Sequence, residues 1–100
     1  MMYYLSGRIT SDDPEEQQAN LQKFHDLEKE LVARGFEVFN PAKFEAKGMK
    51  WEDYLAKDLI WLFENRPMIY LVDSRWRESR GARLEVALAH RLGLSVISSL

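Results

Sequence analysis

The residues of this chain with the clearest capacity for chemistry lie between Ser79 and Glu85. Glu85 stands six positions beyond Ser79, about 9 Å along a helix axis at a rise of roughly 1.5 Å per residue. Gly81, Leu88 and Leu92 share its face at spacings of four, three and seven residues. A carboxylate between a bare glycine and two leucines should look into the protein or a cleft, not into water. Ser79 marks the start of the same helix, behind an apolar run, Met68–Val72, and a loop rich in arginine. A strand, a cationic loop and a helix whose first turn holds a hydroxyl and a glycine suit a phosphate. Backbone N–H groups point out of such a helix start and its dipole favours an anion. Arg80 adds a positive charge beside it. Gly7 and Arg8 open the first loop at a strand's C-terminal edge, where ligands sit in open α/β sheets. Arg8 could reach a phosphate there or stand solvated. Asp58 falls between Tyr54 and Leu62 on the apolar stripe of another helix, which is costly without a partner or a task. It reads either as a buried cap of a nearby loop or as a site carboxylate. Tyr4, in the first strand, reads as core or as catalytic.

The elements that must position these groups follow from periodicity and punctuation. Met2–Leu5 is a short aromatic and aliphatic strand that stops at Ser6-Gly7. Asp13, Pro14 and Glu16 start a helix as cap, first residue and capping-box partner. Leu21, Phe24, Leu27, Leu31 and Val32 carry its stripe to Arg34-Gly35. Phe36–Phe39 alternates as a second strand. From Pro41 to Lys50 the chain is a basic loop, a candidate lid over the site. Trp51–Glu64 returns to helix, with Trp51, Tyr54, Leu55, Leu59 and Leu62 on its buried face, and Asn65-Arg66-Pro67 breaks it. Strand three, the helix from Ser79 to Gly93 and a last strand, Leu94–Ile97, complete a β-α-β-α-β-α-β order. Short connections predict a parallel sheet covered on both faces. The fold class is α/β, a flavodoxin- or Rossmann-like three-layer sandwich with strand order 2-1-3-4.

The pattern Ser79-x-Gly81-x-x-x-Glu85, with its small and apolar helix, resembles the signature of the nucleoside 2-deoxyribosyltransferase-like superfamily. That group includes the deoxyribosyltransferases and the deoxynucleoside-monophosphate N-glycosidases. The spelling Trp76-Arg-Glu-Ser-Arg-Gly-Ala82 is most similar to small phage and prophage proteins within it. The resemblance implies that Glu85 is the nucleophile attacking C1′ of the sugar. It implies that Tyr4, three residues before Gly7, hydrogen-bonds that carboxylate. Lys57-Asp58-Leu-Ile-Trp-Leu62 looks like the segment whose aspartate helps protonate the leaving base. Serine at position 79 is what the monophosphate hydrolases carry where the transferases have an aspartate, so the resemblance leans toward a nucleotide. It also implies a homo-oligomer, because sites in the superfamily are completed by a neighbour, and Trp51, Trp61 or Trp76 should be exposed. Arg80 and Arg83 stand where the enzymes have smaller or apolar residues. The chain ends at the fourth strand, whereas the hydrolases use residues beyond it. A non-catalytic nucleotide-binding or sensing module is therefore the alternative, and a phage protein that binds a host protein through Trp76 and the arginines is a third.

Composition bounds these readings. One hundred residues suit one domain with a single core. A net charge of −2 gives no reason to expect a polymeric nucleic acid or a membrane surface as partner. No cysteine is present, which removes thiolate zinc sites and thiol nucleophiles, and His25 lies among Gln and Lys as a surface residue. No metal or cofactor is expected, and the partner is a small nucleoside or nucleotide. With no signal-like or membrane-length apolar run, the expected location is the cytoplasm.

Overall fold

A computed structural model of the chain describes residues 1–44 and 50–100. Strand β1 (Met2–Ser6) lies inside a four-stranded sheet, flanked by β2 (Glu37–Phe39) and β3 (Met68–Leu71), with β4 (Val96–Ile97) outside β3. Every pairing is parallel. Tyr4 lies opposite Phe39 and Ile69, Ser6 opposite Leu71, and Tyr70 opposite Ile97. The order is 2-1-3-4, as the connections predict. Helices α1 (Pro14–Ala33), α2 (Trp51–Asn65) and α3 (Arg80–Leu92) form the outer layers.

The two central strands are apolar on both faces because both faces are covered. Tyr3, Leu5 and Tyr70 pack with Phe24 and Leu31 of α1. Tyr4, Ile69 and Leu71 point the other way, onto Leu62 of α2 and Val86 and Ala89 of α3. Aromatic rings fill the second layer. Phe39 stacks on Trp61 at 4.0 Å between centroids and on Tyr4 at 5.5 Å.

The helix ends follow their sequence signals, with some differences. Asp13 caps α1 by accepting the Glu15 N–H at 3.0 Å, and Pro14 opens it. Glu16 does not close a capping box, because its carboxylate is taken by arginines from two other segments. Val32 lies one position past the covered stripe and is exposed. Arg66 ends α2 in the left-handed region (φ 48°), its N–H donating to the Leu62 carbonyl at 2.9 Å. Gly93 ends α3 at φ 72°, where a side chain would be strained.

The expected Pro41–Lys50 loop begins as a 3₁₀ turn over Pro41–Phe44, and the rest of the candidate lid, 45–49, lies outside the described residues. The arginine-rich loop is likewise wound, as a 3₁₀ turn over Ser74–Glu78, because the Asp73 side chain accepts the Arg75 N–H at 2.9 Å. β4 is shorter than Leu94–Ile97, although the Ser95 carbonyl still accepts the Ile69 N–H at 2.8 Å. Among the described residues, no helix is long and apolar enough to cross a membrane.

Candidate functional site

In a strand, residues two apart point to the same face. Tyr4 and Ser6 of β1 therefore both face the layer of α2 and α3, and both reach Glu85. The Tyr4 hydroxyl donates to Oε2 of Glu85, and the Ser6 hydroxyl donates to Oε1 at 2.8 Å. All three residues are buried, Tyr4 completely. The carboxylate sits in the second turn of α3, on the face that also carries Gly81 and Leu88, so the helix turns it toward the end of β1. Among the described residues, every buried side-chain polar atom has a partner.

Burial and hydrogen bonding act on Glu85 in opposite directions. Removal from water disfavours the charged form, whereas the bonds from Tyr4 and Ser6 favour it. Burial wins, helped by the negative charge of Asp58, and the carboxyl titrates at about 8. Tyr4 is pushed well above its ordinary range, first by burial and then by the nearby Glu85 and Asp58 carboxylates, so it remains a donor. Its hydroxyl also lies within hydrogen-bonding influence of Asp58. One phenol thus joins two carboxyl groups that come from different helices.

Above Glu85 opens a cavity of about 380 Å³, within the range of small-molecule sites. Glu85 and Asp58 both line it. So do Ser79, Arg80 and Gly81 from the start of α3, and Gly7 and Arg8 from the loop after β1. Tyr4 and Ser6 do not line it, and hold Glu85 from the sheet side. The eight residues singled out in the sequence thus converge, seven on the cavity and Tyr4 behind it.

The rim shows how each is held. Ser79 caps α3, its Oγ accepting the Ala82 N–H at 3.1 Å, which leaves its own O–H free to donate. A Cβ at Gly81 would stand 3.8 Å from Leu55, Trp51 and the Ser79 hydroxyl, an ordinary contact. The space at Gly81 would therefore admit a Cβ, which would take up room at the cavity wall. Gly7 is needed for a close approach: a Cβ would meet the Val72 Cβ at 3.2 Å and the Phe24 ring at 3.4 Å. Arg80 lies over the Trp51 ring at 5.2 Å. Trp51, expected on the buried face of α2, is 39% exposed, because the first turn of α2 forms the cavity wall and not the core.

Arg8 is neither solvated nor unengaged. Its guanidinium pairs with Glu16 at 3.0 Å and Glu78 at 3.1 Å. Arg75 pairs with the same two carboxylates at 3.0 Å. This ring of four charges fastens the loop after β1 to α1 and to the Ser74–Glu78 turn. Arg83 is exposed and does not line the cavity. Trp76 is half-buried against the core with Arg77 over its ring at 5.2 Å, and is no free anchor. Among the described residues, no three His, Asp or Glu side chains converge to hold a metal ion.

Ser6 is the contact that reading the sequence did not single out. A Ser-Gly pair after an apolar run reads as the end of a strand. The usable signal was its place two residues beyond Tyr4, which puts both hydroxyls on one face.

Residues 1–98 match the family model described as "Domain of unknown function (DUF4406)", and the chain belongs to that family. No curated protein and no solved structure matches the chain.

Proposed function

We propose that this DUF4406 chain cleaves or transfers the N-glycosidic bond of a 2′-deoxynucleoside or, preferentially, its 5′-monophosphate, with Glu85 as nucleophile. One observation carries the reading: a buried carboxyl group held by donors on the sheet side and open to a cavity that contains a second carboxyl group, Asp58. Retaining glycosidic chemistry uses such a pair in two roles. The resemblance of Ser79-x-Gly81-x-x-x-Glu85 to the deoxyribosyltransferase-like signature supports the same assignment.

In the proposed reaction a Glu85 oxygen forms a bond to C1′ while the bond from C1′ to the base nitrogen breaks. The bonding pair leaves with the base, which takes a proton from Asp58. Water then attacks C1′, giving one proton to Asp58 and releasing Glu85 as carboxylate; with a second base as acceptor the step is a transfer. Because Glu85 titrates at about 8, the free site holds a proton at neutral pH. The reactive form has that proton on Asp58 and the charge on Glu85. Tyr4 touches both groups' surroundings and orients the nucleophile. The 5′-phosphate is taken by the Ser79 hydroxyl and the start of α3, with Arg80 beside it.

The alternative is a nucleotide-binding module without turnover. Arg8, paired with Glu16 and Glu78, is not counted on to hold the phosphate in either reading. We further propose a homo-oligomer formed through α2 and α3, where Ile60, Phe63 and Leu84 are exposed side by side with a groove between them.

Incubation with a panel of 2′-deoxynucleoside 5′-monophosphates, followed by chromatography for free base, tests the reading. Release of base, lowered by roughly a thousandfold or more in Glu85→Gln, is expected. Nucleotide binding with no base released from any of them would leave only the binding module.

A further inference from the structure

We propose that Ser6 is a positioning residue, whose hydroxyl fixes Oε1 of Glu85 from beneath the cavity and so sets the orientation in which the carboxylate meets C1′. The proposal rests on the reading of Glu85 as nucleophile. Four observations support it. Ser6 Oγ lies 2.8 Å from Glu85 Oε1, and the two residues are 1% and 6% exposed, so the contact is shielded from bulk water. Tyr4 bonds the other oxygen, Oε2, so each carboxylate oxygen has its own donor. Tyr4 alone would leave the group able to rotate about its last bond; the second donor removes that freedom. The Ser6 backbone is itself fixed, opposite Leu71 in the parallel ladder, with its carbonyl accepting the Val72 N–H at 2.9 Å. Finally, Ser6 is absent from the cavity wall while Glu85 is part of it, so Ser6 acts on the substrate only through Glu85.

The ionisable groups around this carboxyl are Tyr4 from β1, whose donated bond favours the charged form, and Asp58 from α2, whose negative charge opposes it. Ser6 acts in the same sense as Tyr4 and against Asp58, holding the charged form by the other oxygen. Removing it should therefore disturb both the orientation and the titration of Glu85, while leaving the phosphate and base contacts alone. A serine that only filled space would do neither.

The test compares wild type, Ser6→Ala and the hydroxyl-retaining Ser6→Thr on a deoxynucleoside monophosphate that the wild type cleaves, with the Glu85 carboxyl followed by ¹³C NMR against Glu85→Gln. Ser6→Ala is expected to lower kcat by about ten- to a hundredfold with KM within about twofold. The Glu85 titration midpoint should move to higher pH, and Ser6→Thr should restore both. Unchanged kcat and midpoint in Ser6→Ala would overturn the proposal, and so would a rise in KM at constant kcat, which would put Ser6 against the ligand. If the wild type releases no base, the nucleophile reading fails separately. The NMR midpoint then still decides whether Ser6 governs the carboxyl: an upward shift in Ser6→Ala keeps that part, and no shift removes it.

Discussion

At Glu85, two donated hydrogen bonds favour the carboxylate and burial favours the acid, and the result is a group that keeps its proton to about pH 8. The unfolded chain gives the same proton up near the ordinary value of 4.5. Between these limits the folded protein binds more protons than the unfolded one, so stability must fall as pH rises. The Glu85 contribution is greatest below about pH 4.5, declines by up to roughly 1.4 kcal/mol per pH unit, and is lost above about 8. Urea unfolding of wild type and Glu85→Gln between these pH values should show this slope in the first and not in the second. Parallel curves would mean that Glu85 titrates normally. The inward aim of Glu85 was legible, because Gly81 and Leu88 lie on its side of the helix at regular spacings. Its partner Ser6 was legible only through its place two residues beyond Tyr4, since a serine before a glycine otherwise carries the same signal whether it ends a strand or bonds a carboxylate 79 positions away. The pairing of Arg8 was hidden, because Glu16 and Glu78 come from segments that only the tertiary fold brings together.

Helix α3 supplies both Glu85, the proposed nucleophile, and the end of the cavity proposed to bind the phosphate, and Ser79 stands at that end. As cap it accepts the Ala82 N–H, and in the proposed phosphate site it would donate its own proton. Aspartate caps a helix about as well as serine. Ser79→Asp should therefore leave the fold and Tm nearly unchanged while placing a negative charge against a 5′-phosphate. Titration calorimetry should find deoxynucleoside monophosphates bound more tightly than nucleosides by wild type, and the reverse order in Ser79→Asp. Equal binding of both ligand types by wild type would remove the reason to place a phosphate at this helix. The sheet that carries α3 was legible in its order, because each apolar run is separated from the next by one amphipathic helix with clear ends. The two 3₁₀ turns were not. They depend on single side-chain contacts, such as Asp73 to the Arg75 N–H, which leave no periodicity to read.

For the whole molecule, one of the three tryptophans, Trp51, is exposed as expected, at the cavity wall, but most of the exposed apolar surface lies elsewhere. Trp61 is covered by stacking on Phe39, and Trp76 is half-buried by the core. The apolar side of α2 is wider than the sheet and α3 can cover, so Ile60 and Phe63 are more than half exposed, and Leu84 of α3 joins them. Neither fact is visible in sequence, where all of these residues count equally as apolar. If this face joins two copies, light scattering at tens of micromolar should give a dimer or a larger even-numbered assembly, and Phe63→Glu should dissociate it without unfolding. A monomeric wild type would contradict the assembly and leave the fold untouched.

The central claim, that Glu85 forms a bond to the sugar, is tested most directly by acid-quenching the protein during turnover of a deoxynucleoside monophosphate and measuring its intact mass. A deoxyribose-phosphate adduct that maps to the peptide containing Glu85, and is missing in Glu85→Gln, is the predicted result. Base release that proceeds without such an adduct and survives Glu85→Gln would contradict it.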